Sequence, residues 1–267
     1  MGENSRIEWT HHTFNPWIGC ARVSPACEHC YAELQEAVRW KRVEWGPHAV
    51  RHITSDENWR KPLSWNRKAL AAHERHRVFC ASLADVFEDR RDLDAPRARL
   101  WRLIAETESL DWLVLTKRPQ HIRTLTPWGD QWPANVWLGT TVEDQRRAGE
   151  RLPHLIQHSA VVRFLSVEPL LGSVDLRPWL GLIDWVIAGG ESGPGARPMH
   201  IDWARNVRDQ CAEARVAFFF KQWGNYAQVN GQGEQLVRLR TKSERVLDRR
   251  TWDQFPQPRT QVADVAQ

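Results

Sequence analysis

The sequence contains no apolar run long enough to cross a bilayer, and no apolar segment follows a basic start near its first residue. A transmembrane helix needs about 20 consecutive apolar residues, and a secretory signal combines a basic start with an apolar stretch. We therefore expect a cytoplasmic protein that is neither secreted nor inserted into a membrane.

Cysteine is scarce, and its few copies are unevenly placed. Of the five cysteines, Cys20, Cys27 and Cys30 fall within eleven positions, whereas Cys80 and Cys211 stand alone. In a reducing compartment, an odd number of cysteines with three of them clustered favours metal or redox chemistry over a disulfide framework. We expect Cys80 and Cys211 to be buried structural thiols, because one lies in an apolar run and the other in a helical pattern.

The chain also lacks long blocks of like charge, and it has only two tyrosines against sixteen tryptophans. Its formal net charge of +4 permits a phosphate-bearing partner without requiring one. Tryptophan can stack on nucleic-acid bases, but it also fills apolar cores, and we favour packing as the main role here.

Short apolar runs alternate with helical patterns along most of the chain, which is typical of parallel βα units. We predict a first strand near Thr13–Ile18. Six later strands are predicted at Arg77–Ala84, Trp112–Thr116, Val136–Thr140, Val161–Val167, Trp185–Ala188 and Val216–Phe220. Nearly continuous apolar strands indicate burial on both faces. We therefore predict an α/β fold, a partial (β/α) barrel of six to seven parallel strands over residues 1–224, with a doubly wound open sheet as the alternative.

Two regions depart from this alternation. Residues 43–76 form an insertion after the first unit, with a helix predicted near Pro62–Arg75. Residues 225–267 form a polar C-terminal extension, with a strand-like stretch at Leu236–Arg240 and disorder expected after Pro258.

Polar residues follow every predicted strand. They include Ser82, Asp85, Glu88, Lys117, Arg118, Thr140, Thr141, Glu143, Ser166, Glu168, Gly189, Gly190, Glu191, Ser192, Lys221 and Gln222. In a barrel the carboxyl ends of the strands meet at one rim, so these residues would line a polar pocket there. The stretch GGESGPG, residues 189–195, lets the backbone approach a ligand closely. A glycine-rich turn that joins a strand to a helix needs no ligand, so both interpretations stay open.

The clustered cysteines have the spacing C-x6-C-x2-C. A structural zinc ion would need a fourth ligand, for which His29, His11 and His12 are candidates. A [4Fe–4S] cluster held by only three cysteines keeps one iron free for an exogenous ligand. The zinc site would have no free coordination position, whereas the cluster would have one iron available for reaction.

The cysteine segment resembles that of the radical S-adenosylmethionine enzymes, in which three cysteines after the first strand of a partial barrel hold a [4Fe–4S] cluster. Nearly the whole chain resembles a phage-associated three-cysteine-motif family of that kind. The motifs that carry this resemblance are IEWT (7–10), CARVSPACEHCY (20–31), SLADVF (82–87), LTKRP (115–119), WLGTTVE (137–143), LSVEPL (165–170), GGESGPGARPMH (189–200) and FFKQWG (219–224).

The resemblance implies a mechanism in which the cluster reductively cleaves S-adenosylmethionine to a 5′-deoxyadenosyl radical that abstracts hydrogen from a substrate. It implies an electron donor such as flavodoxin or ferredoxin. The resemblance also implies that Cys20, Cys27 and Cys30 are the cluster ligands. It implies that Ser82, Asp85 and Glu191, with Gly189, Gly190 and Ser192 next to Glu191, bind the amino and ribose groups of the cofactor. It further implies Arg118 or Lys117 for the carboxylate of the cofactor, and Lys221 and Glu168 for substrate or proton handling.

Two features depart from the usual superfamily pattern, which has C-x3-C-x2-C spacing and a Gly-Gly-Glu motif after the second strand. Here the first gap is six residues, and SLAD follows the second strand while GGE follows the sixth. A nucleotide or nucleic acid is the expected substrate class. The alternative is a non-catalytic zinc-binding module that contacts nucleic acid.

Overall fold

The structure is a computed structural model that describes residues 2–228, 236–238 and 244–259. The strands are β1 (His12–Thr13), β2 (Trp17–Ile18), β3 (His52–Ile53), β4 (His76–Cys80), β5 (Leu110–Thr116), β6 (Val136–Thr141), β7 (Val162–Val167), β8 (Trp185–Gly189), β9 (Ala217–Gln222), β10 (Tyr226–Gln228) and β11 (Leu236–Arg238). The helices are α1 (Tyr31–Glu33), continued by a π-helical segment (Leu34–Arg39), α2 (Asp56–Ala72), α3 (Asp94–Ala105), α4 (Ile122–Leu125), α5 (Gln145–Leu155), α6 (Arg177–Leu180) and α7 (Ile201–Ala214). Within these described ranges, no helix combines the length and the apolar character needed to traverse a bilayer.

Seven strands form one parallel sheet in the order β1-β4-β5-β6-β7-β8-β9. This order follows the chain without reversal, as in a (β/α) barrel, whereas a doubly wound sheet reverses direction at one strand. The predicted α/β partial barrel is therefore confirmed, and each of the six later strands overlaps its prediction. The largest difference is at β4, which ends at Cys80 rather than at Ala84, so Ser82 and Asp85 lie in the following loop.

The sheet curves around an aromatic core. The ring of Trp9 lies 4.7 Å from that of Phe79 on β4 and 6.2 Å from that of Trp185 on β8. In a flat sheet, strands four positions apart would be separated by about 19 Å, at roughly 4.8 Å per strand. One indole can contact both strands only because the sheet is strongly curved. The concave face is therefore a packed interior, as in a barrel.

The predicted first strand, Thr13–Ile18, is wrong as a single element. β1 ends at Thr13 and pairs in parallel with β4, whereas β2 begins at Trp17 and pairs antiparallel with β3. Pro16 lies between them and has no backbone N–H to donate to a sheet. The carbonyl oxygen of Pro16 instead accepts a hydrogen bond from the backbone N–H of Thr54, at 3.1 Å. The chain therefore leaves the main sheet here and enters the cysteine segment.

The insertion contains one long helix, α2, which begins earlier than predicted. The Ser55 hydroxyl caps it by accepting a hydrogen bond from the backbone N–H of Asn58, at 3.4 Å. Pro62 was expected near the helix start but lies inside the helix. Trp59 and Trp65 on this helix are buried. α2 therefore covers the first part of the sheet through its tryptophans.

The described part of the C-terminal region packs on the last two strands of the sheet, β8 and β9. The backbone N–H of Phe220 donates to the carbonyl of Trp252 at 2.9 Å, and the indole N–H of Trp185 donates to the carbonyl of Gln254 at 2.9 Å. The strand-like stretch predicted at Leu236–Arg240 begins as β11, and its last two residues lie outside the described residues. Residues 260–267, where disorder was expected, also lie outside them. The division of the chain at residue 224 stays a prediction.

Candidate functional site

The carboxyl ends of the parallel strands open on one cavity with a volume of about 920 Å³. Residues at the carboxyl ends of β4 to β9, or just after them, line it together with the cysteine segment. Among the residues that the sequence singled out, the lining includes Cys20, Cys27, Cys30, Ser82, Asp85, Lys117, Arg118, Thr141, Ser166, Glu168, Gly190, Glu191, Ser192, Lys221 and Gln222. Thr140, Glu143 and Gly189 were also expected there but do not line the cavity. Side chains from both halves of the chain therefore meet at one end of the sheet.

The cysteine segment is an irregular loop between β2 and α1. Its backbone is tied to the loop after β4, because the N–H of Gly19 donates to the carbonyl of Leu83 at 3.1 Å. Cys27 ends a short 3-10 turn, and Cys30 immediately precedes α1. All three thiols are free, with Cys27 buried and the other two half-buried. The loop therefore presents three unpaired thiols to one cavity.

Cys20 lies beside a buried guanidinium. Arg118 Nη1 donates to Cys20 Sγ at 3.5 Å, and Arg118 Nη2 donates to the carbonyl of Ala21 at 2.8 Å. Burial raises the pKa of Cys20 to about 12, and the charge of Arg118 opposes that shift. Arg118 therefore fixes the first cysteine by contacts to both its side chain and the adjacent backbone.

Asp85 is the anchor for Arg118. Its carboxylate accepts hydrogen bonds from the Thr116 hydroxyl at 2.7 Å, from the backbone N–H of Lys117 at 2.9 Å and from Arg118 Nη1 at 3.0 Å. The backbone N–H of Phe87 adds a fourth bond at 3.0 Å. Burial alone would raise the pKa of Asp85, but the Arg118 charge and these hydrogen bonds outweigh it and lower the pKa. Asp85 therefore acts on the site through the residues that it positions.

A second buried carboxylate holds the cysteine loop from the β8 side. Glu191 accepts hydrogen bonds from Arg197 Nη2 at 2.6 Å and from His29 Nδ1 at 3.0 Å. Arg197 also donates to the carbonyl of Pro25 at 2.8 Å and to the Glu28 carboxylate at 2.8 Å. Burial would raise the pKa of Glu191, but the hydrogen bonds from Arg197 and His29 hold it below its ordinary value. We call the set Glu191, Arg197, His29 and Glu28 the loop clamp.

The glycines of the GGE motif are explained by neighbouring backbone. A Cβ atom on Gly190 would lie 1.9 Å from the carbonyl oxygen of Trp223, and one on Gly224 would lie 2.1 Å from the carbonyl oxygen of Glu191. A Cβ atom on Gly189 would lie 3.2 Å from the carbonyl oxygen of Gln222. At Gly190 and Gly224, the segments after β8 and β9 therefore pack against each other at a distance that only glycine permits, whereas the contact at Gly189 is only tight.

The polar groups at the carboxyl ends of β7 and β9 are less completely bonded. Lys221 Nζ donates to Glu168 Oε1 at 2.5 Å, with 21% and 17% of their side chains exposed. Gln222 Nε2 donates to the Ser192 hydroxyl at 2.8 Å. Lys117 contributes only its backbone to the network around Asp85, and among the described residues its ammonium group has no partner. These groups keep hydrogen-bonding capacity that a ligand can use.

Several site residues were not found from the sequence. The Asn15 side chain, fully buried, donates to the Ser82 hydroxyl at 3.0 Å and accepts from the backbone N–H of Leu83 at 2.7 Å. Arg51 makes two hydrogen bonds to Glu88, at 2.8 and 2.6 Å, and both residues are buried. Glu88 therefore supports the loop beside the cysteines and does not line the cavity. No motif signals these long-range contacts.

Glu36 is a further cavity residue that the sequence did not single out. It lies in the π-helical segment after α1, and π-helical turns often occur at functional sites. Its side chain is buried, and its Oε2 atom has no hydrogen-bond partner among the described residues. The cationic Arg42 Nη1 lies 3.9 Å from that oxygen. A buried carboxylate oxygen in this state can accept a hydrogen bond from a ligand.

The donor set of the cysteine loop fits an iron–sulfur cluster, because thiolates are the ligands that such clusters use. Among the described residues, no three His, Cys, Asp or Glu side chains are grouped closely enough to hold one metal ion. Of the histidines considered as zinc ligands, His29 belongs to the loop clamp. His11 accepts a hydrogen bond from the backbone N–H of Arg77 at 2.8 Å, and His12 lies 3.2 Å from His76. His11 and His12 therefore belong to the sheet beside β4 and do not line the cavity.

Among solved structures, the chain is similar to a cysteine-to-serine mutant of spore photoproduct lyase, with 12% identity and a TM-score of 0.46. It is also similar to a cysteine-to-alanine mutant of that protein, with 13% identity and a TM-score of 0.44. Each match covers 81% of this chain but only 65% of the other. No curated protein matches the chain. The profile of a family described as "Protein of unknown function (DUF5131)" matches residues 4–256, and the chain therefore belongs to that family.

Proposed function

We propose that this protein is a radical S-adenosylmethionine enzyme in which Cys20, Cys27 and Cys30 hold a [4Fe–4S] cluster. The observation that supports the proposal most is that three cysteines of one loop and residues at the carboxyl ends of β4 to β9 line a single cavity. When bound, such a cluster supplies the electron that cleaves S-adenosylmethionine to methionine and a 5′-deoxyadenosyl radical, which abstracts hydrogen from a substrate. The protein's own residues bind and orient the reactants.

We assign the cofactor carboxylate to Lys117, because the ammonium group of Lys117 is unpaired whereas Arg118 is already bonded to Asp85 and to the cysteine loop. The hydroxyls of Ser82 and Ser192 line the cavity and are assigned to the amino and ribose groups. Asp85 and Glu191 act indirectly, by holding Arg118 and the loop clamp. Gly189 and Gly190 act through the close packing of the segments after β8 and β9.

We assign proton handling to the pair Lys221 and Glu168. Both side chains line the cavity and share one hydrogen bond of 2.5 Å. A Lys–Glu pair offers a substrate both a proton donor and an acceptor, and partial exposure lets a ligand reach it. A one-electron donor such as flavodoxin or ferredoxin would reduce the cluster.

The proposal is tested by anaerobic reconstitution with iron and sulfide, reduction, and detection of 5′-deoxyadenosine from S-adenosylmethionine. The unchanged protein is expected to release 5′-deoxyadenosine, and each of Cys20→Ala, Cys27→Ala and Cys30→Ala to release none above background. Cys211→Ala is the matched control, because Cys211 is a fully buried cysteine of α7 outside the cavity.

The test does not require the substrate to be known. If a triple variant without Cys20, Cys27 and Cys30 still cleaves S-adenosylmethionine, this result would contradict the assignment of the three cysteines as cluster ligands. A reconstituted, reduced protein that binds iron but never cleaves the cofactor would remove the proposed reaction.

A further inference from the structure

The cavity has more positive than negative charge left unpaired. Each acidic residue that lines it has a cationic group nearby: Asp85 has Arg118, Glu191 has Arg197, Glu168 has Lys221, Glu3 has Lys68 and Glu36 has Arg42. Two lining cations, Arg6 and Lys117, have no side-chain partner in the part of the chain that the structure describes.

S-adenosylmethionine would not neutralise this excess. Its ammonium and sulfonium groups carry two positive charges against one negative carboxylate, so it adds one positive charge to those of Arg6 and Lys117. A reduced [4Fe–4S] cluster with its three thiolate ligands would add two negative charges, so one positive charge would stay uncompensated. Uncompensated like charge in one site is unfavourable. On the basis of the proposed function, the second reactant in the cavity should therefore be an anion.

One edge of the cavity presents an exposed aromatic ring among basic residues. Trp40, at the end of the π-helical segment, is 42% exposed, whereas Trp9, Trp59 and Trp65 are almost completely buried. The guanidinium of Arg42 lies 4.2 Å from the centre of the Trp40 ring. Trp40 and Arg42 both line the cavity. Most tryptophans here pack in the core, so this one has a different role.

Two further cations, Arg39 and Lys41, are the neighbours of Trp40 in the sequence. Arg39 and Lys41 are exposed, and neither has an ion-pair or hydrogen-bond partner for its side chain among residues 2–228, 236–238 and 244–259. Tyr31, also at the cavity and 53% exposed, donates its hydroxyl hydrogen bond to the carbonyl of Ser82. We call the set Tyr31, Arg39, Trp40, Lys41 and Arg42 the basic aromatic rim.

Exposed aromatic rings beside unpaired cations are the groups with which proteins bind single-stranded nucleic acid, through stacking on bases and charge on phosphates. The cations lie both on the rim and inside the cavity, so they match a ligand with several phosphates better than a single nucleotide. We propose that the basic aromatic rim binds single-stranded nucleic acid and delivers one of its nucleotides into the cavity.

Fluorescence anisotropy with a labelled single-stranded 12-mer tests this on the full chain. The unchanged protein is expected to bind DNA or RNA strands with an affinity that falls as salt rises. Trp40→Ala should weaken binding by roughly 5- to 150-fold, as expected for loss of one stacked base. Arg39→Ala with Lys41→Ala should lower the slope of log affinity against log salt by about 1.4, at about 0.7 per phosphate contact.

Matched controls are Leu70→Ala, which removes an exposed apolar side chain from α2, and Arg146→Ala, which removes an exposed cation from α5. Neither should change binding by more than about twofold. Absence of binding at low salt, equal weakening by the controls, or competition by a mononucleotide as strong as that by the 12-mer would each overturn the proposal.

The two proposals fail separately. The anisotropy measurement needs no reduction and no cleavage of S-adenosylmethionine, so a negative result removes the nucleic-acid proposal and leaves the cleavage assay to decide the reaction. Conversely, if the unchanged protein binds the 12-mer but releases no 5′-deoxyadenosine, the proposed role of the basic aromatic rim is supported and the proposed reaction is contradicted.

Discussion

At the ends of β4 and β5, Asp85 and Arg118 are 5% and 6% exposed, and together with Cys20 they form a fully bonded network. At the ends of β7 and β9, the Glu168 and Lys221 side chains are 17% and 21% exposed and share a single short contact. Both regions line the same cavity. The first region therefore fixes the cysteine loop, and the second keeps polar groups available for a ligand. Enzymes gain from such an arrangement, because a rigid support positions groups that react elsewhere in the site.

The largest expected effect on stability is at the ends of β4 and β5, where Asp85 and Arg118 hold the cysteine loop. Arg118→Ala leaves the buried Asp85 carboxylate without its cation, so we expect the free energy of unfolding to fall by about 3–5 kcal/mol, measured by urea denaturation. Arg146→Ala breaks an exposed pair with Glu150 and should cost about 0.5 kcal/mol or less. Equal losses in the two variants would show that the network around Asp85 is not a support.

The next largest effect on stability is expected where the segments after β8 and β9 contact each other. Gly190→Ala places a Cβ atom against the carbonyl oxygen of Trp223, so we expect a loss of about 3 kcal/mol, at the upper end for overpacking. Gly149→Ala in α5 meets no atom within 4 Å and should instead stabilise the protein by about 0.5–1 kcal/mol. A Gly190→Ala variant as stable as the unchanged protein would contradict the packing of these segments.

Two histidines at the start of the sheet, His11 and His12, should make the stability of the protein depend on pH. Burial, with nearby Arg77 for His11 and His76 for His12, lowers the pKa of both imidazoles from 6.5 to about 4. Between pH 6.5 and pH 4 the unfolded chain therefore binds more protons than the folded one, so stability is complete above pH 6.5 and falls towards pH 4.

The measurement is the urea midpoint at pH 7 and at pH 5. We expect the midpoint to fall at pH 5, and to fall less in His12→Gln. His48→Gln is the control, because His48 is exposed. An identical fall in His12→Gln and in the unchanged protein would contradict the role of this buried histidine.

The smallest expected effect on stability is at the ends of β7 and β9, where Glu168 and Lys221 remain available for a ligand. Lys221→Met removes a partly exposed cation from Glu168 and should change the free energy of unfolding by about 1 kcal/mol or less. The urea curve of this variant is compared directly with that of Arg118→Ala. A loss as large as that of Arg118→Ala would mean that both regions are structural supports.

The regular part of the fold could be predicted from the sequence, because strands such as Val136–Thr141 and Val162–Val167 are short runs rich in apolar residues that recur between helical patterns. The part around the cysteines could not. Pro16 divides the expected first strand, and Pro62 was expected to start a helix that the Ser55 cap starts earlier.

The candidate site could be predicted only in outline. Parallel topology dictates that residues after successive strands meet, which is why Ser82, Lys117 and Glu191 line one cavity. The partners of those residues depend on contacts between distant segments, such as Arg197 with Pro25 and Asn15 with Ser82. Such contacts follow from packing, which no local pattern encodes.

The central claim is that the three thiols share one iron–sulfur cluster, and the most direct test is the iron, sulfide and zinc content of anaerobically reconstituted protein. We predict about four irons and four sulfides per chain for the unchanged protein and for Cys211→Ala, and none when Cys20, Cys27 and Cys30 are all replaced by alanine. One zinc per chain that is lost with the same three cysteines, or iron retained without them, would contradict the account.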